Sequence, residues 1–163
     1  MEIPNYRIGN GIDIHPLVKG KKLILGGVDL NHSYGCDGHS DGDVLVHSII
    51  DAILGALNKG DIGSHFPSSD NSYKDISSLE LLNNISKKYA CRIINIDSTI
   101  ILQEPIIQPY IPDMKKNILQ AWASCSDLDI SIKATTTDKL GFIGNKEGIA
   151  AITTCLIDKK NIT

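Results

Sequence analysis

The chain has 163 residues, enough for one domain with a proper core and few for two. Its 16 basic and 19 acidic side chains leave a net charge of −3 with no block of like charge, so neither nucleic acid nor an anionic membrane surface is an expected partner. No apolar run approaches the roughly 20 residues of a membrane helix, and the first residues lack the charged-then-apolar pattern of a leader.

Arg7-Ile8-Gly9-Asn10-Gly11-Ile12-Asp13-Ile14-His15-Pro16 reads as a strand, and its period of two puts Asp13 and His15 on one face. Lys22 to Leu30 reads as two short extended pieces around a Gly26-Gly27 turn. His32 fits a solvated loop residue, and the glycines from Tyr34 to Gly38 mark a loop.

That loop delivers the chain to His39-Ser40-Asp41-Gly42-Asp43-Val44-Leu45-Val46-His47, its chemically densest stretch. Ser40 with Asp43 three residues on resembles a capping box, and the spacing predicts a helix over Val44 to Leu57, ending near Asn58 and Gly60. Asp43, His47 and Asp51, at i, i+4 and i+8, share one stripe of it, and His39 precedes its positive end. By themselves Ser40 and Asp43 read equally well as caps, and His47 as a polar residue on a solvated face. Asp13 and His15 on a strand with His47 on a helix also form a set of three ligands suited to Zn²⁺ or another transition metal, with one coordination position open.

Gly60 to Lys74 is rich in Gly, Pro, Ser, Asp and Asn and reads as a long loop, in which Asp61 and Gly63 on their own suit turn chemistry. Ser77-Ser78-Leu79-Glu80 offers a second capping box, before a helix carried by Leu79, Leu82, Ile85 and Tyr89. Ile93 to Leu102 is a buried strand. Pro105 and Pro109 then exclude regular helix or central strand, and Pro112 suits the first turn of a third helix that ends on Trp122, a core residue. Asp129 to Ala134 alternates as a half-buried strand and runs into Thr135-Thr136-Thr137-Asp138. Three hydroxyls and a carboxylate there suit phosphate oxygens and a cation, and equally a plain turn. Gly148 to Ile157 is the last strand. This order of elements predicts an α+β architecture, a mixed sheet with helices on one face. Cys36, Cys91, Cys125 and Cys155 are widely spaced with no Cys-x-x-Cys pair, which points to reduced thiols in a cytosol-like compartment.

Five motifs, from Arg7-Ile-Gly-x-Gly-x-Asp13-x-His15 through the His39 run, Gly60-Asp61-Ile62-Gly63 with Phe66-Pro67, and Lys133-Ala-Thr135-Thr136-Thr137-x-Lys139-Leu-Gly-Phe142 to Glu147-Gly148-Ile149-Ala150, follow in order over nearly the whole chain. Together they closely resemble the 2-C-methyl-D-erythritol 2,4-cyclodiphosphate synthase family. The resemblance implies one domain over residues 1–163 with a ferredoxin-like fold, assembled as a homotrimer with active sites between subunits, in a bacterial cytoplasm or a plastid. It implies conversion of 4-diphosphocytidyl-2-C-methyl-D-erythritol 2-phosphate to the 2,4-cyclodiphosphate with release of CMP, in the non-mevalonate route to isoprenoids.

By the same resemblance, Asp13, His15 and His47 hold Zn²⁺ (or Mn²⁺ or Co²⁺), and Asp138 holds Mg²⁺ or Mn²⁺ bridging the substrate diphosphate. His39 and Thr136 stabilise the charge that develops, and Ser40 contacts a substrate phosphate. Asp61, Ile62 and Gly63, with the run Phe66, Pro67, Ser68, Ser69 and Asp70, line the erythritol pocket. Thr135, Thr137, Phe142 and Asn145 complete the substrate contacts. The cytidine lies on the neighbouring subunit, near Leu102, Gln103, Glu104, Pro105, Ile106, Ile107 and Gln108 and near Ala134.

Five positions depart from the family pattern: Ile106 stands where a lysine is usual, Asp138 where glutamate is, Ser68 where aspartate is frequent, Asn10 where histidine is, and Asn145 where many relatives have an arginine that helps Glu147 hold an isoprenoid diphosphate in the trimer's channel. None of these is a zinc ligand. Two rival readings remain at this level, a zinc-dependent phosphohydrolase built on the same three ligands and a binding module that has lost turnover.

Overall fold

The longest strand, β1 (Tyr6–Lys19), organises the molecule, here described from a computed structural model over residues 5–89, 91–122 and 130–159. It pairs antiparallel with β7 (Gly148–Asp158) along eleven residues, Tyr6 opposite Asp158 and Pro16 opposite Gly148. β7 pairs antiparallel with β5 (Arg92–Ile101), which runs parallel to β6 (Ile130–Thr135), and β4 (Tyr34–Cys36) covers the far edge of β1. The sheet order is therefore β4-β1-β7-β5-β6, mixed as expected. Asp129, the expected start of β6, and Cys125 lie outside the described residues. Cys36, Cys91 and Cys155 are free and buried.

One face of this sheet carries Ile149, Ala151, Cys155 and Ile157 of β7 with Ile93, Ile96 and Ile100 of β5, all buried beneath α1 (Val44–Leu57) and its neighbours. Twelve of the fourteen α1 residues are buried, the mark of a helix packed on all sides. Gly9 and Gly11 of β1 make the closest approach possible. A Cβ on Gly11 would stand 2.0 Å from the Ser48 carbonyl oxygen, and one on Gly9 1.8 Å from that of Ala52. The opposite face of β1 is apolar and exposed, with Ile8, Ile12 and Ile14 each more than half accessible.

Around α1 lie the hairpin of β2 (Ile24–Leu25) and β3 (Val28–Asp29), α3 (Ser78–Lys88) and α4 (Ile111–Ala121). The hairpin turns on Gly26 and Gly27, both at positive φ, as a two-residue turn of this hand demands. Trp122, at the end of α4, is 1 % exposed and joins the core. The expected long loop contains two short helical pieces, α2 (Ile62–His65) and a 3₁₀ turn at Asn71–Tyr73. A second 3₁₀ turn, Gln108–Tyr110, leads into α4 despite Pro109, because the missing N–H of a first-turn proline costs nothing. A four-residue helix, α5 (Gly141–Gly144), precedes β7.

Neither expected capping box forms. Asp43 itself is the N-cap of α1, accepting from Val46 N at 3.1 Å and from Gly27 N of the hairpin at 2.8 Å, which frees Ser40 for other work. Ser77 occupies the N-cap position of α3 with no side-chain bond to the helix, and the Asp41 carboxylate takes the Ser78 N–H instead, at 2.9 Å. In both cases a carboxylate takes the helix N–H in place of the expected serine hydroxyl, Asp43 from the position next to Val44 and Asp41 from 37 residues away, because an ionised acceptor binds an N–H more strongly.

Candidate active site

Asp13 and His15 leave β1 on the face that meets α1, and His47, one turn into that helix, points back at them. The Asp13 Oδ2 atom lies 3.1 Å from His15 Nε2 and 3.0 Å from His47 Nδ1, and the two imidazole nitrogens are 3.4 Å apart. One ligand atom from each of the three residues falls within 4.8 Å of the other two, so the group could hold a metal ion. The donor chemistry agrees, since one carboxylate and two imidazoles suit a transition metal and leave a position open.

His15 is set for this by a backbone acceptor. Its Nδ1 lies 3.0 Å from the Asp37 carbonyl oxygen, which can only accept, so Nδ1–H donates and Nε2 is the nitrogen turned toward Asp13, able to ligate a metal once it has lost its hydrogen. Burial pushes the Asp13 carboxyl up, but hydrogen bonds from His15 and His47 and the charge they bring outweigh it and hold Asp13 well below the usual carboxylate range. The reciprocal effect is seen at His15, whose hydrogen bond to Asp13 raises its pKa against the opposing effect of burial. Metal-free, the cluster thus favours a carboxylate gripped by imidazole donors.

The Asp43, His47, Asp51 stripe is fully used. Asp43 is completely buried, and burial together with the nearby Asp41 charge pushes it up to about 6 against bonds from Gly27, Val46 and Gly26. Asp51 accepts from Ile62 N at 2.7 Å and so starts α2. His47 is 8 % exposed, so the solvated-face reading does not hold.

A cleft of about 200 Å³ opens over the cluster, lined by Asp13, His15 and His47, by His39 and Ser40, by Ile62, Gly63, Phe66 and Ser68, and by Tyr73 and Leu81. The structure thus brings together six of the expected substrate contacts beside the metal ligands. Asp61, Pro67, Ser69 and Asp70 lie outside that lining: Asp61 caps α2 through Ser64 N (2.8 Å) and Asp70 caps the 3₁₀ turn through Ser72 N (2.9 Å). Tyr73 and Leu81 were not expected. Leu81 sat unmarked inside the α3 pattern, and Tyr73, 5.2 Å from the Phe66 ring, had no periodic neighbour to flag it.

A second cleft, of about 540 Å³, is lined by Leu102 to Gln108 together with Ala134, Thr135 and Thr136, the whole segment assigned to the nucleotide. Ile106 is 80 % exposed there, and Lys133 joins the lining. Thr137 donates to the Leu140 carbonyl at 2.7 Å, and Asp138, at positive φ, lies 3.3 Å from Thr136 Oγ1. Asp138 belongs to no group of three ligands among the described residues. Phe142 is partly exposed, and Asn145 lines a third cleft with Glu147, Lys146, Glu104 and His32. His32 is not a solvated loop residue. Its ring packs beside Tyr34, with its side chain 18 % exposed and Nε2 3.7 Å from Glu104.

Fold and site together define an α+β protein that positions a candidate metal centre between its longest strand and its central helix. The comparisons with known proteins agree. The model of the YgbB family matches residues 6–158. Proteins named 2-C-methyl-D-erythritol 2,4-cyclodiphosphate synthase resemble the chain over almost all of its length: that of Chlorobium luteolum is 49 % identical over 158 residues, covering 93 % of this chain and 98 % of the relative, and that of Clostridium kluyveri is 55 % identical over 154 residues, covering 93 % of each. Among solved structures, the bifunctional IspDF from Campylobacter jejuni superposes with a TM-score of 0.90 at 39 % identity, over 96 % of this chain and 43 % of that larger one. IspF of Plasmodium falciparum, in complex with CDP, superposes with a TM-score of 0.81 at 37 % identity, over 98 % and 100 %. The chain belongs to the YgbB family, that of the 2-C-methyl-D-erythritol 2,4-cyclodiphosphate synthases.

Proposed function

We propose that the chain, acting as a single domain, is a phosphorus–oxygen lyase that converts 4-diphosphocytidyl-2-C-methyl-D-erythritol 2-phosphate to 2-C-methyl-D-erythritol 2,4-cyclodiphosphate and CMP. The observation that carries this reading is the convergence of Asp13, His15 and His47 within 4.8 Å at the mouth of a cleft that also holds His39 and Ser40, in a chain matched to the family over residues 6–158. No protein nucleophile is needed. An oxygen of the substrate's 2-phosphate attacks the β-phosphorus, the bond to the CMP oxygen breaks, and CMP leaves with that electron pair. Such chemistry depends on alignment and on neutralising crowded oxyanions.

Asp13, His15 and His47 are the residues that would hold a zinc-type ion, which when bound supplies positive charge toward a phosphate oxygen. His39, just ahead of the N-terminus of α1, and Thr136 are suited to donate to the same oxygens, and the Ser40 hydroxyl to hold a phosphate. Asp138 would hold a Mg²⁺-type ion. Ile62, Gly63, Phe66 and Ser68 wall the cleft where the erythritol carbons would lie, and the Leu102–Gln108 cleft would take the cytidine, supported by the CDP bound to the Plasmodium falciparum relative.

The two clefts share no lining residue within one chain, and the exposed Ile8, Ile12 and Ile14 make the outer face of β1 a natural subunit contact. Both observations support a homotrimer in which the nucleotide cleft of one subunit completes the metal cleft of its neighbour. The test is turnover in ¹⁸O-labelled water. Cyclisation yields CMP and a cyclic product free of label. Orthophosphate, or a labelled linear diphosphate, would refute the reading and favour a hydrolase.

A further inference from the structure

Ser78 opens α3, is fully buried, and faces His47 from the side opposite the metal ligands. Its hydroxyl oxygen lies 2.8 Å from His47 Nε2, and its hydrogen is donated to the Asp41 carboxylate. Asp41 is itself held by Ser78 N at 2.9 Å and by Asp43 N at 3.3 Å, and its own N–H is tied to the Ile76 carbonyl at 3.2 Å. The Ser78–Asp41 link has one direction, and it sets the rest. A carboxylate can only accept, so the Ser78 hydrogen is committed to Asp41, and the Ser78 lone pairs need a donor. The donor within reach is His47 Nε2–H. With Nε2–H held by Ser78, the hydrogen that His47 gives up when a metal binds is the Nδ1–H that Asp13 accepts in the metal-free cluster, so Nδ1 becomes the ligand atom.

We infer that Ser78, oriented by Asp41, is a positioning residue that fixes the ring of His47 and presents its Nδ1 to the metal. This rests on the metal reading of Asp13, His15 and His47 given above. The arrangement mirrors His15, whose Nδ1 is fixed by the Asp37 carbonyl, so each imidazole of the cluster is backed by a group that can only take its hydrogen in one sense. Ser40 Oγ also lies near His47 Nε2, at 3.0 Å, but it lines the cleft, whereas Ser78 is sealed from it. With Ser78 as the principal acceptor, the Ser40 hydrogen stays available to a ligand in the cleft.

The test separates orientation of His47 from simple docking of α3. Ser78→Ala removes the hydroxyl but keeps the backbone N–H that Asp41 caps, so the helix start survives. The metal-free protein is titrated with Zn²⁺ against a chromophoric chelator at one pH. Ser78→Ala should bind Zn²⁺ about 10 to 100-fold more weakly than the wild type, and Ser78→Thr, which restores the hydroxyl, should recover most of the loss. Wild-type affinity in Ser78→Ala would overturn this inference alone, whereas absence of Zn²⁺ binding by the wild type would overturn the metal reading with it. A second readout needs no variant. In the zinc-loaded, ¹⁵N-labelled wild type, the His47 Nε2–H proton should exchange slowly with water and show a nuclear Overhauser effect to the Ser78 β-protons, and its absence would also overturn the proposal.

Discussion

Gly11→Ala tests whether the site depends on how closely β1 lies on α1. The residue pairs with Thr153 of β7 in ordinary extended backbone, so no conformational penalty enters, and the whole effect is steric. The added Cβ would stand 2.0 Å from the Ser48 carbonyl oxygen and 2.7 Å from Ala52 N, where ordinary van der Waals contact begins at 3.4 Å. Both are backbone atoms of a helix buried on all sides, so neither can swing away, and strand and helix must part by roughly 1.4 Å. Overpacking of this kind costs about 3 kcal/mol or more, a fall in melting temperature of about 10 °C for a chain of this size. Asp13 is two residues along the strand from Gly11 and His47 is next to Ser48, so the same movement separates the ligands, while a metal site tolerates about 0.2 Å. Calorimetry and a Zn²⁺ titration should therefore show both stability and metal affinity falling sharply. Gly55→Ala, at the single exposed residue of α1, is the control: its nearest neighbour would be 3.9 Å away, and the gain in helix propensity makes it neutral or stabilising. A Gly11→Ala protein with wild-type melting and wild-type zinc affinity would refute the argument.

The buried carboxyl of Asp43 gives a pH signature. Its folded value of about 6 stands above the ordinary 3.8, so its contribution to stability is complete below about pH 4 and is lost as pH rises through 6. A shift of that size corresponds to about 3 kcal/mol, and wild type should gain most of it, about 2 kcal/mol, over Asp43→Asn between pH 7 and pH 4 in denaturant titrations; a pH-independent difference would contradict the assignment. Ile106→Lys puts a cation on the rim of the larger cleft, where the exposed isoleucine stands. CDP affinity measured by calorimetry should rise several-fold, and unchanged affinity would mean that the nucleotide binds elsewhere.

Much of this was legible in the chain. The alternation of β1 placed Asp13 and His15 on one face because a pleated strand permits no other arrangement, whereas the 3.6-residue period put His47 on one stripe with Asp43 and Asp51 and left open which way it faces. What failed was the choice of serine as the cap in each case. Ser40 and Ser77 had the spacing of N-caps, but Asp43 and Asp41 took the helix N–H groups, since Asp41 reaches α3 only after 37 residues of chain have folded back on it. The same tertiary return hides Ser78, which reads as a helix start and is in fact the partner of His47. The second cleft was visible as a segment but not as a cavity, because Leu102–Gln108 and Ala134–Thr136 meet only through the parallel pairing of β5 and β6.

The most direct measurement is the zinc content of dialysed wild-type protein and of His47→Ala, by elemental analysis alongside CMP release. The account predicts one zinc per chain and turnover in the wild type, and loss of both in a variant that remains folded by circular dichroism. Stoichiometric zinc or undiminished CMP release in His47→Ala would contradict it.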